Sequence, residues 1–230
     1  IYIGYKYYET RYADCITGSG NAASDVGCFR SAGAWNYADE MCFTFGWGMS
    51  YTDFEQQITG VEYDAETDQY MVNVEVRNIG EKPGKCAVLV YAQTPYGEYE
   101  RLNEVEKSAI QFVGYEKSSL LDPDGTETVQ VPVDRYLLAS YDQNGAEGYI
   151  LSAGDYYFAV GESSHDALNN ILAVQGYVGM FNQDGTEDVT LNESCVYKFT
   201  DGIPDNEKPD TDSYAYSKAT GERVTNRFGE

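Results

Sequence analysis

The chain has 230 residues, with 38 acidic against 15 basic side chains and a net charge of −23. That length suits one or two domains, and that charge repels nucleic acid and anionic membranes, so neither is an expected partner. Aromatics make up 14% of the residues, with 22 tyrosines, which excludes a disordered chain, and no apolar run approaches the ~20 residues of a membrane-spanning helix.

Residues 1–14 are tyrosine-rich and have no clean period. Residues 16–34 are rich in Gly, Ala and Ser and read as a mobile surface loop, closed by Trp35 and Trp47. From Asp53 the pattern becomes β. Tyr70, Val72, Val74 and Val76 alternate with polar neighbours, as in a half-buried strand. Ala87 to Tyr91 is apolar on both faces, as in a central strand. Residues 94–108 form a polar excursion, and strand character resumes over Ala109 to Tyr115. Pro123-Asp124-Gly125 is a turn. Val129, Val131 and Val133 then alternate, with Pro132 confined to the outward or edge side. Asp155 to Gly161 and Ser194 to Phe199 read as strands, and Asn182 to Gly185 as a hairpin turn; residues 175–180 fit no single element. Residues 200–217 have the Asp/Pro/Ser composition of a linker. The series predicts a mainly β fold, an antiparallel two-sheet sandwich.

Several of these segments together resemble one enzyme family. Ile1-Tyr2-Ile3-Gly4-Tyr5-Lys6-Tyr7-Tyr8-Glu9-Thr10-Arg11-Tyr12, and then Phe43 to Thr52, resemble the closing signature of the α/β sandwich domain of glycoside hydrolase family 3. The second motif departs from the usual pattern at Thr44 (usually Pro), Trp47 (usually Tyr) and Met49 (usually Leu). Val72 to Gly80, Pro83-Gly84-Lys85, Val88 to Tyr91, Phe112 to Tyr115, Leu121 to Gly125 and Ala153 to Gly161 follow in the order seen in the family's fibronectin type III-like (immunoglobulin-like) domain. His165 to Ala173 resembles a helical insertion of a bacterial subset in which the sandwich domain comes first and the barrel last. Ala219 to Phe228 resembles the approach to that barrel.

The resemblance implies three parts. Residues 1–52 are the C-terminal remnant of an α/β sandwich domain, with a strand and a helix edge over 1–14. Residues 53–199 are the fibronectin type III-like domain, and 200–230 are a linker toward a barrel. It also implies a β-glucosidase-like parent that releases terminal β-linked glucose-type sugars by a retaining mechanism from β-glucosides or oligosaccharides, without cofactor. The partners of this piece are then the sandwich and barrel domains of the same enzyme. The other class is a non-enzymatic carbohydrate-binding or adhesin-like β-sandwich, against which the first fifty residues argue.

A retaining mechanism needs two carboxyl groups about 5 Å apart. The resemblance places one on the barrel, in a Ser-Asp-Trp-like motif absent here, and the other upstream of Ile1, so no catalytic residue is assigned. No cofactor-binding residue is assigned. No metal ligand is assigned either: Cys15, Cys28, Cys42, Cys86 and Cys195 lack metal-site spacing, and residues 182–188 lack the register of a calcium loop. The odd, scattered cysteines favour free thiols and a cytoplasmic rather than secreted setting. A Cys15–Cys28 or Cys28–Cys42 bridge is the alternative. His165, the sole histidine, reads as a helix cap or an exposed residue, and Glu9 with Arg11 as a structural ion pair. Trp35 and Trp47 are the candidates for the fringe of a sugar site; Trp47 is expected to pack between domains and Trp35 to lie more open.

Overall fold

The computed structural model describes residues 1–224. The chain opens with helix α1 (Tyr5–Thr17), where no strand precedes the helix edge expected over 1–14. Glu9, Tyr12 and Ala13 form its buried stripe at helical spacing. The stripe is hard to see in the sequence because tyrosines lie on both faces. Gly18, at φ 69°, ends the helix in the left-handed conformation that favours glycine, and Ser19 N–H closes back on Asp14 O at 2.8 Å.

Residues 19–36 contain no strand or helix, as expected of a loop, yet the loop is tied on two sides. Arg11 donates from Nε and Nη2 to the carbonyls of Ala22 and Ser24, both at 2.8 Å. Glu40, in the short helix α2 (Tyr37–Glu40), accepts the N–H groups of Phe29, Arg30 and Ser31 at 2.8 to 2.9 Å. Burial opposes ionisation of Glu40, but these donors prevail and hold its carboxyl down at about 2.

The β region comprises β1 (Phe54–Asp64), β2 (Gln69–Asn78), β3 (Ala87–Gln93), β4 (Gln111–Lys117), β5 (Thr126–Asp134), β6 (Ser140–Asp142), β7 (Gly148–Ile150), β8 (Tyr156–Val160) and β9 (Val196–Phe199). A short helix α3 (Glu98–Leu102) lies in the polar excursion, and α4 (Ser164–Val174) joins β8 to the 175–195 region. One antiparallel sheet has the order β1-β2-β5, the other β4-β3-β8-β9, and β6-β7 is a separate hairpin. The predicted two-sheet antiparallel architecture is present.

Alternation decides which way each strand faces. Tyr70, Val72, Val74 and Val76 are fully buried and meet Val88, Val90, Phe158, Val160 and Phe199 of the opposite sheet. In the β2–β5 ladder Val72 pairs with Val131 and Val74 with Val129, so one continuous apolar surface faces inward. Pro132 lies on the exposed face of edge strand β5.

A second core covers the outer face of the four-stranded sheet. Tyr91, Tyr157 and Ala159 point away from the first core and pack with Tyr12 of α1, Tyr37 of α2 and Ala167, Leu168 and Ile171 of α4. All five residues of β8 are therefore buried, and β3 is apolar on both sides for the same reason. The 200–217 segment, expected as a linker, lies against the sandwich. Leu151 and Asp210 exchange two backbone hydrogen bonds at 3.0 and 2.8 Å, and Tyr214 is buried. The expected approach to a barrel over 219–228 falls partly outside the described residues.

Candidate functional site

A buried polar group joins α1, α2 and α4 within the second core. Glu9, completely buried on α1, accepts the Tyr37 hydroxyl at 2.6 Å and the Ser164 hydroxyl at 3.1 Å on Oε1. His165 Nδ1 lies 2.9 Å from Glu9 Oε2, and His165 Nε2 lies 2.7 Å from the carbonyl oxygen of Phe181. The ring is stacked on Tyr37 at a centroid distance of 4.2 Å. A neighbouring chain of bonds extends the group: Tyr12 OH donates to Asn169 Oδ1 at 2.8 Å, and Asn169 Nδ2 donates to Asp188 at 2.9 Å.

Both imidazole nitrogens thus face acceptors, an arrangement that suits the doubly protonated ring. Burial pushes the His165 pKa down, but the hydrogen bond and charge of Glu9 outweigh it and the net shift is upward. Burial and Glu9 also drive the Tyr37 phenol far upward, so it stays a donor. Ser164 donates to Glu9 and not to His165, so the imidazole is not positioned as a base for this hydroxyl. With Glu9, Ser164 and His165 each about 1% exposed or less, the cluster is shut off from substrate and works as a clamp between helices.

His165 is accordingly neither a cap nor exposed. Ser163 caps α4, its hydroxyl accepting Asp166 N–H at 3.3 Å. The Glu9–Arg11 pair is also corrected. Residues two apart on a helix face different ways, so Glu9 turns inward to His165 while Arg11 turns to the loop carbonyls.

The clamp should leave a pH signature. His165 has its pKa raised in the folded chain, so its contribution is whole below the unfolded value of about 6.5 and is lost as pH rises through the raised folded value. Thermal melts between pH 6 and 9 should show stability falling with pH more steeply in the wild type than in His165→Gln. Equal slopes would contradict an imidazolium at this position.

A second buried charge, Lys107, donates to Pro95 O at 2.7 Å and to the Ser152 hydroxyl, with Glu100 Oε1 at 3.5 Å. Burial is the main cause that lowers its amine to about 8. It borders a cleft of about 190 Å³ that Lys6, Gln111, Tyr141 and Tyr149 also line.

The expected contrast between the tryptophans is reversed. Trp35 is 6% exposed, edge-on to Tyr37, with the Arg11 guanidinium 4.9 Å above its ring. Trp47 is 42% exposed and stacks on Phe43 at 4.9 Å. The reason lies in the loop that Arg11 ties down, which places Trp35 against α1, whereas residues 47–51 lie on the outside of the described structure. Phe45 stacks on Tyr5 of α1 and meets Tyr91 of β3 and Phe112 of β4 edge-on, but Met49 and Tyr51 are almost fully exposed. The structure does not bring the two indoles together with any carboxylate of the clamp. All five cysteines are free thiols, so neither candidate bridge is formed.

Residues 87–164, from β3 to the first turn of α4, match the fibronectin type III-like domain family. The chain carries a fibronectin type III-like domain. Around that domain the similarity runs further. A β-glucosidase of Ruminococcus albus is 29% identical over 171 residues, covering 73% of this chain and 14% of that protein. β-Glucosidase A of Butyrivibrio fibrisolvens is 28% identical over 186 residues, covering 72% and 18%. The crystal structure of a β-glucosidase from Paenibacillus barengoltzii superposes with a TM-score of 0.52 at 26% identity, covering 86% of this chain and 17% of that one. That of the Kluyveromyces marxianus β-glucosidase in complex with glucose gives 0.51 at 25%, covering 71% and 16%. The resemblance to the fibronectin-like region of family 3 β-glucosidases is thus borne out. The chain spans less than a fifth of the length of these relatives.

The clamp itself was hidden in the sequence. Glu9, Tyr37, His165 and Phe181 are far apart in the chain, and only the packing of α4 on α1 joins them. One signal was available: the sole histidine stands beside Asp166 at the start of a helix that carries Ala167, Leu168, Ile171 and Leu172.

Proposed function

We propose that this chain is an interior piece of a retaining glycoside hydrolase of family 3 that releases terminal β-linked glucose-type sugars. In this reading the piece is structural and bears no catalytic carboxylate. The similarity to β-glucosidases over 72–73% of the chain, further than residues 87–164 that match the fibronectin type III-like domain family, carries the proposal. The division into a sandwich-domain remnant (1–52), the fibronectin type III-like domain (53–199) and a connecting segment (200–230) belongs to it.

Three features support the structural role. The buried carboxylates have other work: Glu9 holds His165 and Tyr37, Glu40 holds the loop amides, and Asp142 accepts the N–H groups of Asn144, Gly145 and Ala146. Ile1, Ile3, Phe43, Trp47, Met49 and Tyr51 are exposed apolar or aromatic side chains in the first 52 residues, and a larger domain would cover them. The relatives are several times longer and have room for such domains. Trp47, one of these exposed side chains, keeps its place as a candidate for the fringe of the sugar site. Trp35, with Arg11 over its ring, does not. The free thiols support a reducing, cytoplasmic setting.

The expressed chain should not hydrolyse an aryl β-glucoside. Turnover abolished by changing a carboxylate of this chain would overturn the structural reading. A Ser-Asp-Trp-type motif encoded downstream of Glu230 is the second check.

A further inference from the structure

Residues 210–223 form one wall of a groove of about 720 Å³, and the other wall comes from α3 and the β6–β7 turn. The groove is lined by Tyr99, Asn103 and Gly145 on the sandwich side and by Asp212, Tyr216 and Arg223 on the side of the C-terminal segment.

The wall is fixed in place. Tyr214 OH donates to Asp68 Oδ2 at 2.9 Å, Lys218 Nζ to the same oxygen at 3.2 Å, and Arg135 Nε to Asp68 Oδ1 at 2.6 Å. Arg135 lies 5.3 Å over the Tyr214 ring and 5.4 Å over Tyr63, and the Leu151–Asp210 bridge fastens the near end. The opposite wall is packed as tightly. A side chain at Gly145 would come within 2.7 Å of the Tyr99 hydroxyl and 3.0 Å of Asn103 Oδ1. The Tyr99 hydroxyl is spent on Asp142 at 2.7 Å, which leaves its ring as the groove surface. Asn103 uses Nδ2 on Tyr99 O at 3.0 Å and presents Oδ1 as an acceptor.

The groove is open to solvent on one side, and its volume falls within the size range of small-molecule sites, about 300–1,000 Å³. Its lining selects a chemical class. Tyr99 and Tyr216 supply aromatic surface for C–H groups, and the Asn103 amide, Asp212 carboxylate and Arg223 guanidinium supply acceptors and donors for neighbouring hydroxyls. An apolar ligand would find little aliphatic surface, since Ala146 and Ala215 are the aliphatic members of the lining. An anion would meet Asp212 and a chain of net charge −23. We infer that this groove binds a neutral saccharide, of mono- or disaccharide size, between the fibronectin type III-like domain and the segment that follows it. The inference stands on the groove's own chemistry and not on the hydrolase reading.

The test is an amide NMR titration of the 230-residue chain with cellobiose, and separately with inorganic phosphate. Saturable shifts should appear at Asn103, Gly145, Asp212 and Tyr216, half-saturated at roughly millimolar cellobiose. Tyr216→Ala, at an exposed ring, should weaken binding about tenfold, the equivalent of 1.4 kcal/mol, and Asn103→Ala should weaken it by a smaller factor while the remaining spectrum is unchanged. Absence of saturable shifts would overturn the inference, as would equal affinity in the wild type and both variants. Phosphate saturating the same amides in place of cellobiose would also overturn it. An active parent enzyme whose groove takes no cellobiose would overturn the groove and leave the hydrolase reading standing.

Discussion

Replacing Glu9 by alanine should destabilise the chain by about 3–5 kcal/mol, because it leaves His165 buried among apolar and aromatic groups without its counter-charge. The loss is larger than a surface ion pair would give, because both partners are shielded from water. Tyr37 and Ser164 would lose their acceptor in the same step. Urea unfolding reads the effect as a lowered midpoint. Glu9→Gln, which keeps an acceptor for Tyr37, should cost less. Combining Glu9→Met with His165→Leu should recover part of the loss, since an apolar pair needs no counter-charge. A Glu9→Ala chain as stable as the wild type would show that the clamp contributes nothing to holding α1 on α4.

Val74→Asp should prevent folding of the sandwich. Val74 is fully buried at the centre of β2, paired with Ile58 on one side and Val129 on the other. It belongs to the apolar core that Val72, Val76, Val129 and Val131 share, and an unpaired buried charge costs more than about 4 kcal/mol there, a large part of a domain's stability. Gln130→Glu, on the exposed face of β5, should change stability by less than about 0.5 kcal/mol. Circular dichroism and urea melts of the two variants decide the matter. A folded Val74→Asp protein would mean that the register of β2 is not set by this face.

The two substitutions probe features of different visibility. The alternation Tyr70, Val72, Val74, Val76 can be read directly, because a strand's period of two converts every second residue into an inward position. The turn over Asn182 to Gly185 was as plain, and it forms with Gly185 N–H on Asn182 O at 2.9 Å. The tyrosines of α1 were opaque, since a tyrosine packs as well on a half-exposed face as in a core. His165 was opaque for a different reason. Its surroundings come from α1, α2 and the 181 carbonyl, none of them its neighbours in sequence.

By itself the sequence determined the two-sheet antiparallel sandwich, the inward faces of β2 and β5, the centrality of β3 and the resemblance that the relatives bear out. Those properties follow from local periodicity and from motifs, and periodicity is a property of short segments. The tertiary structure alone decided the second core, the Glu9–His165 clamp, the burial of Trp35 and the fastening of residues 210–218 on Asp68. Each of these brings together groups more than twenty residues apart, and whether a buried carboxylate is a liability or a clamp depends on what the fold sets against it.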